Sequence, residues 1–128
     1  MRLLLDTHAF LWLVEGNPAL SAAAQAAIAK PESEVFLSVA SIWELAIKTN
    51  NGKLSLNEPL ADFMERWTTQ YKILVLPVEL AHALAVGNLP LHHRDPFDRM
   101  LIAQATSDRL AVVSRDAQFQ NYKVPVIW

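Results

Sequence analysis

Five short apolar runs, separated by helix-like segments, constrain this chain more than any other feature. They are Arg2–Leu5, Val35–Ser38, Ile73–Leu76, Ala111–Ser114 and Val124–Ile127. The runs are continuous rather than alternating, as expected for strands covered on both faces. Between them the apolar spacing turns helical. The spacing predicts helices over Thr7–Val14, Ala22–Lys30 behind a Ser21 cap, and Val39–Asn51. It predicts three more over Glu58–Tyr71 behind an Asn57 cap, Glu79–Val86, and Phe97–Asp108 behind Asp95-Pro96. Strands that alternate with helices imply right-handed crossovers, and hence an α/β fold with a parallel central sheet. The 128 residues suit a single domain, 1–128, with no repeat, linker or low-complexity tract.

Ligands of such sheets gather beyond the carboxyl ends of the strands. Asp6 and Asp116 lie there directly, and Glu44 lies in the early turns of the helix leaving the second strand. Asp98 opens the helix that ends at Asp108, a few residues before the next strand. So short a connection forces helix and strand antiparallel, which brings Asp98 to the same edge. Each acid also has a plain structural reading. Asp6 can cap a helix, Glu44 can complete a capping box with Ser41, Asp98 can be a dipole-favoured acid after the Asp95 cap, and Asp116 can open a turn.

Convergence favours the functional reading. Four carboxylates at one edge repel unless a cation joins them. An all-oxygen donor set suits Mg²⁺ or Mn²⁺ over zinc. A hard cation there would acidify a water and offset charge on a phosphate, which is the chemistry of phosphodiester hydrolysis. Thr7 and Ser114 flank the acids and can orient a ligand or water. Lys48, Arg94, Arg99 and Arg115 lie near them in sequence and can meet flanking phosphates. Asp95 is a cap or a further acid of the site. His8 is expected at the rim or in solvent. His92 and His93, with no helical spacing, are expected in an exposed loop rather than on zinc. Trp12, Trp43 and Trp67 are expected in core or interface, not as base-stacking platforms.

Composition narrows the classes. Without cysteine there is no disulfide, thiolate nucleophile or Cys-bound zinc. The net charge of −2 rules out a broadly basic nucleic-acid surface and requires a local basic rim. Apolar residues reach 52% and charged ones only 19%, which points to a partner covering part of the surface. Asp6 and His8 interrupt the N-terminal apolar stretch, against a secretory signal, and no run has the ~20 apolar residues of a membrane span. A cytoplasmic protein is expected.

Four segments together resemble the PIN-domain family, closest to its VapC-type toxins. They are Leu3-Leu4-Leu5-Asp6-Thr7-His8, Ser38 to Lys48 (SVASIWELAIK), His93 to Ala105 (HRDPFDRMLIAQA) and Ser114-Arg115-Asp116-Ala117-Gln118-Phe119. The resemblance runs in order over essentially the whole chain. It implies a three-layer α/β/α sandwich and a Mg²⁺- or Mn²⁺-dependent endoribonuclease with acids at Asp6, Glu44, Asp98 and, more variably, Asp116. It further implies a homodimer and a cognate antitoxin lying over an apolar groove that includes Phe10, Leu11 and Trp12. Ser114 stands where a threonine is common and keeps the hydroxyl. Asp95 adds an acid that some relatives lack.

Other classes remain in view. A PIN-type RNA-processing nuclease without a toxin role would use the same acids. A phosphate-receiving domain needs an acceptor Asp after the middle strand, where this chain has Pro77-Val78-Glu79. A module that only binds RNA or protein has no use for the full acid set.

Overall fold

All five apolar runs become strands, and every pairing between them is parallel. The computed structural model describes residues 1–128. Its strands are β1 (Arg2–Leu5), β2 (Glu34–Ser38), β3 (Ile73–Leu76), β4 (Ala111–Val113) and β5 (Val126–Ile127), in the sheet order β3-β2-β1-β4-β5. The helices are α1 (Thr7–Glu15), α2 (Ala22–Ala29), α3 (Val39–Asn50), α4 (Leu60–Gln70), α5 (Leu80–Val86) and α6 (Pro96–Asp108), with a 3-10 turn at Ala117–Asn121.

Side chains of a strand alternate between faces, so each central strand feeds two cores. Leu3, Leu5, Val35, Leu37, Ala111 and Val113 pack on one side with Phe10, Ala24, Leu45 and Phe63. Leu4 and Val112 pack on the other with Leu101, Ile102, Ala105 and Phe119. Helices therefore cover both faces, giving the three-layer α/β/α sandwich. Burying each large aliphatic side chain contributes roughly 1.5–3 kcal/mol. Only the centre of the sheet is dry on both sides. Leu74 and Val75 of the edge strand β3 are about half exposed, so continuous hydrophobicity there did not mean burial on both faces.

The differences from the sequence expectations are local. The fourth helix starts at Leu60, not Glu58, and Asn57 does not cap it. Proline disfavours helical geometry at the residue before it, so Pro59 keeps Glu58 out of the helix. Glu58 instead pairs with Arg66 at 3.1 Å. The last strand is only two residues long. Pro125 lacks an N–H, so the strand's ladder starts at Val126.

The topology fixes where a ligand can sit. From β1 the chain steps outward through β2 to β3, then returns across the sheet to β4 on the other side of β1. The crossover direction reverses between β1 and β4, which makes that gap the switch point at which such sheets bind ligands.

Candidate metal centre

Asp6 stands in this gap. Its N–H bonds the Val113 carbonyl at 3.1 Å, which continues the β1–β4 pairing by one residue. Its side chain caps α1 by accepting from the Ala9 N–H at 2.7 Å. The cap and the site are thus the same carboxylate, because α1 starts where the strand ends. Burial pushes the Asp6 carboxyl above its usual range, opposed by the Ser114 hydroxyl and the Ala9 N–H.

Glu44 arrives from β2. Ser38, the last residue of that strand, caps α3 through the Ala40 N–H at 3.0 Å. The capping box between Ser41 and Glu44 does not form. The Ser41 hydroxyl has no partner, while Glu44 accepts from the Thr7 hydroxyl at 2.8 Å and from Lys48 Nζ at 2.7 Å. One helical turn separates Glu44 and Lys48, so they share a face of α3.

Asp98 comes from the first turn of α6. Asp95 caps that helix through the N–H groups of Phe97 and Asp98, at 2.8 and 3.1 Å. The cap thus leaves the Asp98 carboxylate free to face the pocket. Its pKa is pushed up to about 8, first by burial and then by the negative charges of Asp95, Asp6, Glu44 and Asp116. Convergence of the four acids therefore holds, and Asp98 is the one that carries their repulsion. Asp116 caps the 3-10 turn through the Gln118 N–H at 2.9 Å and points its other oxygen into the site.

His93 corrects a sequence expectation. It is not an exposed loop residue but is buried, and its Nε2 lies 2.9 Å from Asp116 Oδ2 and 3.1 Å from Asp98 Oδ2. Nothing in the local sequence signalled this, because the ring is held by contacts distant in the chain. The Tyr122 hydroxyl accepts from the His92 and His93 N–H groups at 3.1 and 2.9 Å and donates to the Pro90 carbonyl at 2.7 Å.

Arg99 is also placed differently from the expectation of a phosphate contact. Its guanidinium donates to the carbonyls of Val86, Leu89, Pro90 and His93, at 3.0–3.3 Å. With Tyr122 it straps down the loop that carries His93. Thr7 is likewise committed to Glu44, and Ser114 is buried beside Asp6. The cations left at the rim are Arg94, Arg115 and the partly exposed Lys48. Arg115 lies over the Trp12 ring, 5.4 Å from its centroid, a cation–π distance.

The donor set fits a hard divalent cation. The acids supply oxygen ligands, and the burial and mutual repulsion that raise Asp98 are what a bound cation would relieve. His93, Asp98 and Asp116 each offer an atom within 4.8 Å of the others, a separation that one ion can span. Asp6, Glu44, Asp98 and Asp116 would hold such an ion, directly or through water, and the ion would supply an acidified water and charge neutralisation.

Comparison with known proteins identifies the family and the fold. The family model for the PIN domain matches residues 3–125. Among solved structures, the fold is similar to VapBC2 from Rickettsia felis, bound to a promoter DNA fragment, with a TM-score of 0.74 at 11% identity. That match covers 98% of this chain and 97% of the other. VapBC-1 from nontypeable Haemophilus influenzae gives a TM-score of 0.67 at 15% identity, covering 98% and 96%. VapBC-5 from Mycobacterium tuberculosis, a member of the VapBC family of toxin–antitoxin systems, gives 0.60 at 20% identity, covering 98% and 94%. No curated protein matches in sequence. With its parallel sheet, its acids at the β1–β4 gap and a family match over nearly its whole length, the chain belongs to the PIN-domain family, a family of nucleases.

Proposed function

We propose that this PIN domain is a Mg²⁺- or Mn²⁺-dependent endoribonuclease that acts as the toxin of a toxin–antitoxin pair. The observation that carries the chemistry is the cluster of partly to fully buried acids at the switch point of the sheet, with Asp98 raised first by burial and then by its acidic neighbours. Ser114 is buried and bonded to Asp6, and Lys48 is held by Glu44, so in this reading the attacking group is water. Asp6, Glu44, Asp98 and Asp116 position the ion. Lys48, Arg94 and Arg115 are the cations that would meet the phosphates on either side of the cut.

The test is incubation of total cellular RNA with the protein in magnesium, in chelator, and with Asp6→Asn. New RNA ends should appear only with native protein and magnesium. Cleavage that persists in chelator, or at native rate with Asp6→Asn, would reject the metal mechanism. For the toxin role, expression of this chain alone should arrest growth. Co-expression of a cognate antitoxin should restore growth. An inert chain that still cuts RNA would favour an RNA-processing nuclease instead.

Two apolar surfaces support the proposed partners. Leu11, Val14, Leu54, Leu56, Phe63 and Trp67 line one groove, which fits an apolar antitoxin segment. Leu11 and Trp12 of the expected surface are partly buried there or beside it. Phe10 is fully buried in the core and cannot contribute.

The second surface fits another copy of this chain. Val39, Trp43, Val78, Val86, Phe97 and Met100 line an apolar cavity of about 460 Å³, and α5 adds the exposed Leu80 and Leu84. Trp43 is 62% exposed and rests edge-on against Phe97, so a solitary chain leaves a large aromatic in water. Trp43→Glu should convert a dimer to a monomer in sedimentation with little change in helicity. A native protein that sediments as a monomer at all concentrations would remove the homodimer.

A further inference from the structure

We propose that His93 is a positioning residue of the metal centre and not one of its ligands. The inference rests on the metal-dependent reading above. It starts from a backbone group. The Asp95 N–H donates to His93 Nδ1 at 3.1 Å. A backbone N–H can only donate, so Nδ1 must accept and carries no proton. The ring is therefore the neutral Nε2–H tautomer, and the edge turned towards the acids is a donor.

That N–H is aimed at Asp116 Oδ2, 2.9 Å away, with Asp98 Oδ2 at 3.1 Å from the same nitrogen. The proton thus bonds Asp116, while Asp98, which repels that carboxylate, stands beside the same nitrogen. Asp6, Glu44 and Asp116 each have other protein donors: the Ala9 N–H, the Thr7 hydroxyl and Lys48, and the Gln118 N–H. The Asp98 carboxylate accepts no hydrogen bond, and its Oδ2 lies 3.1 Å from the His93 Nε2. His93 holds Asp116 directly and stands beside Asp98.

The ring cannot easily turn its other edge inward. The Tyr122 hydroxyl holds its backbone N–H and Arg99 holds its carbonyl. Phe119 packs edge-on against the imidazole, with centroids 5.7 Å apart. Ligation through Nε2 would need the proton on Nδ1, where it would face the Asp95 N–H donor against donor. His93, Asp98 and Asp116 are close enough to resemble a mixed nitrogen–oxygen metal site. The tautomer removes the nitrogen from that set. What remains is all oxygen, which selects magnesium or manganese over zinc.

The test uses the full chain labelled with ¹⁵N in its histidines. Imidazole nitrogen shifts report which nitrogen carries the proton, without reference to catalysis. The His93 resonances should show Nε2–H in metal-free protein and keep it through a Mg²⁺ titration. Calorimetry should show His93→Leu weakening Mg²⁺ binding by about 10–100-fold, the usual effect of losing a group that orients ligands. His93→Gln, whose amide can place an N–H near Nε2, should recover most of that loss. Thermal melts of both variants separate this effect from loss of fold.

Transfer of the proton to Nδ1 on adding Mg²⁺ would make His93 a ligand and overturn the inference. So would native Mg²⁺ affinity in His93→Leu, or a Gln variant that binds no better than Leu. Native protein that binds no Mg²⁺ at the acids would fail differently: the metal-dependent reading would fall, and this inference with it.

Discussion

Replacing Asp98 with asparagine should stop RNA cleavage and, in metal-free protein, raise stability. The two effects have one cause. Asp98 is half-buried, and its carboxyl is pushed up to about 8 by that burial and by the charges of Asp95, Asp6, Glu44 and Asp116. Its negative charge is therefore unfavourable to the folded chain and useful only when a cation shares it. Asparagine keeps the shape and removes the charge. Cleavage should fall by about 10³-fold or more, the scale of losing a group that holds charge-stabilising machinery in place. The metal-free melting temperature near pH 8 should rise by roughly 5 °C, since each kcal/mol moves a domain of this size by several degrees. Cleavage assays and melts in chelator measure the pair. An asparagine variant that melts lower than native would show that the Asp98 charge supports the fold, contrary to this account.

The second large effect is a dependence of stability on pH that magnesium reverses. A carboxyl whose pKa is higher folded than unfolded makes the native state bind the extra proton between the two values. Stability then declines as pH rises through that window. For Asp98 the window runs from 3.8 to about 8, and burial shifts Asp6 in the same direction. In chelator, unfolding free energy should fall between about pH 4 and pH 8, by a few kcal/mol at most. The loss is complete once Asp98 is ionised. Magnesium at about 100 times its dissociation constant should return about 2.7 kcal/mol. Denaturant titrations at several pH values, with and without magnesium, would show both. A stability that climbs with pH in chelator across this window would contradict the burial of these acids, and Asp98→Asn should flatten most of the slope.

Much of the architecture was legible because it depends on local patterns. Continuous apolar runs between helical spacings dictate a parallel sheet. Asp95-Pro96 at the head of α6, and the short connection from Asp108 to β4, place Asp98 at the same edge as Asp6. What misled was also local. The Ser41–Glu44 spacing fits a capping box, but Ser38 caps α3 and leaves Glu44 to Thr7 and Lys48. Asn57 is a good cap for a helix that Pro59 delays. Arg99 sits one residue from Asp98, yet consecutive residues of a helix point about 100° apart, and its guanidinium goes to the His93 loop.

The order of chemistry along the chain therefore determined the sheet, its parallel sense and the edge on which the acids meet, because each of these follows from short-range periodicity and chain connectivity. Folding in three dimensions decided how the acids are partnered. His93, Tyr122 and Arg99 come from a loop, a turn and a helix, and the bonds that bring the imidazole onto Asp116 and beside Asp98 exist only once those elements pack. Hydrogen-bond direction depends on the final position of every donor, and no spacing in the sequence encodes it.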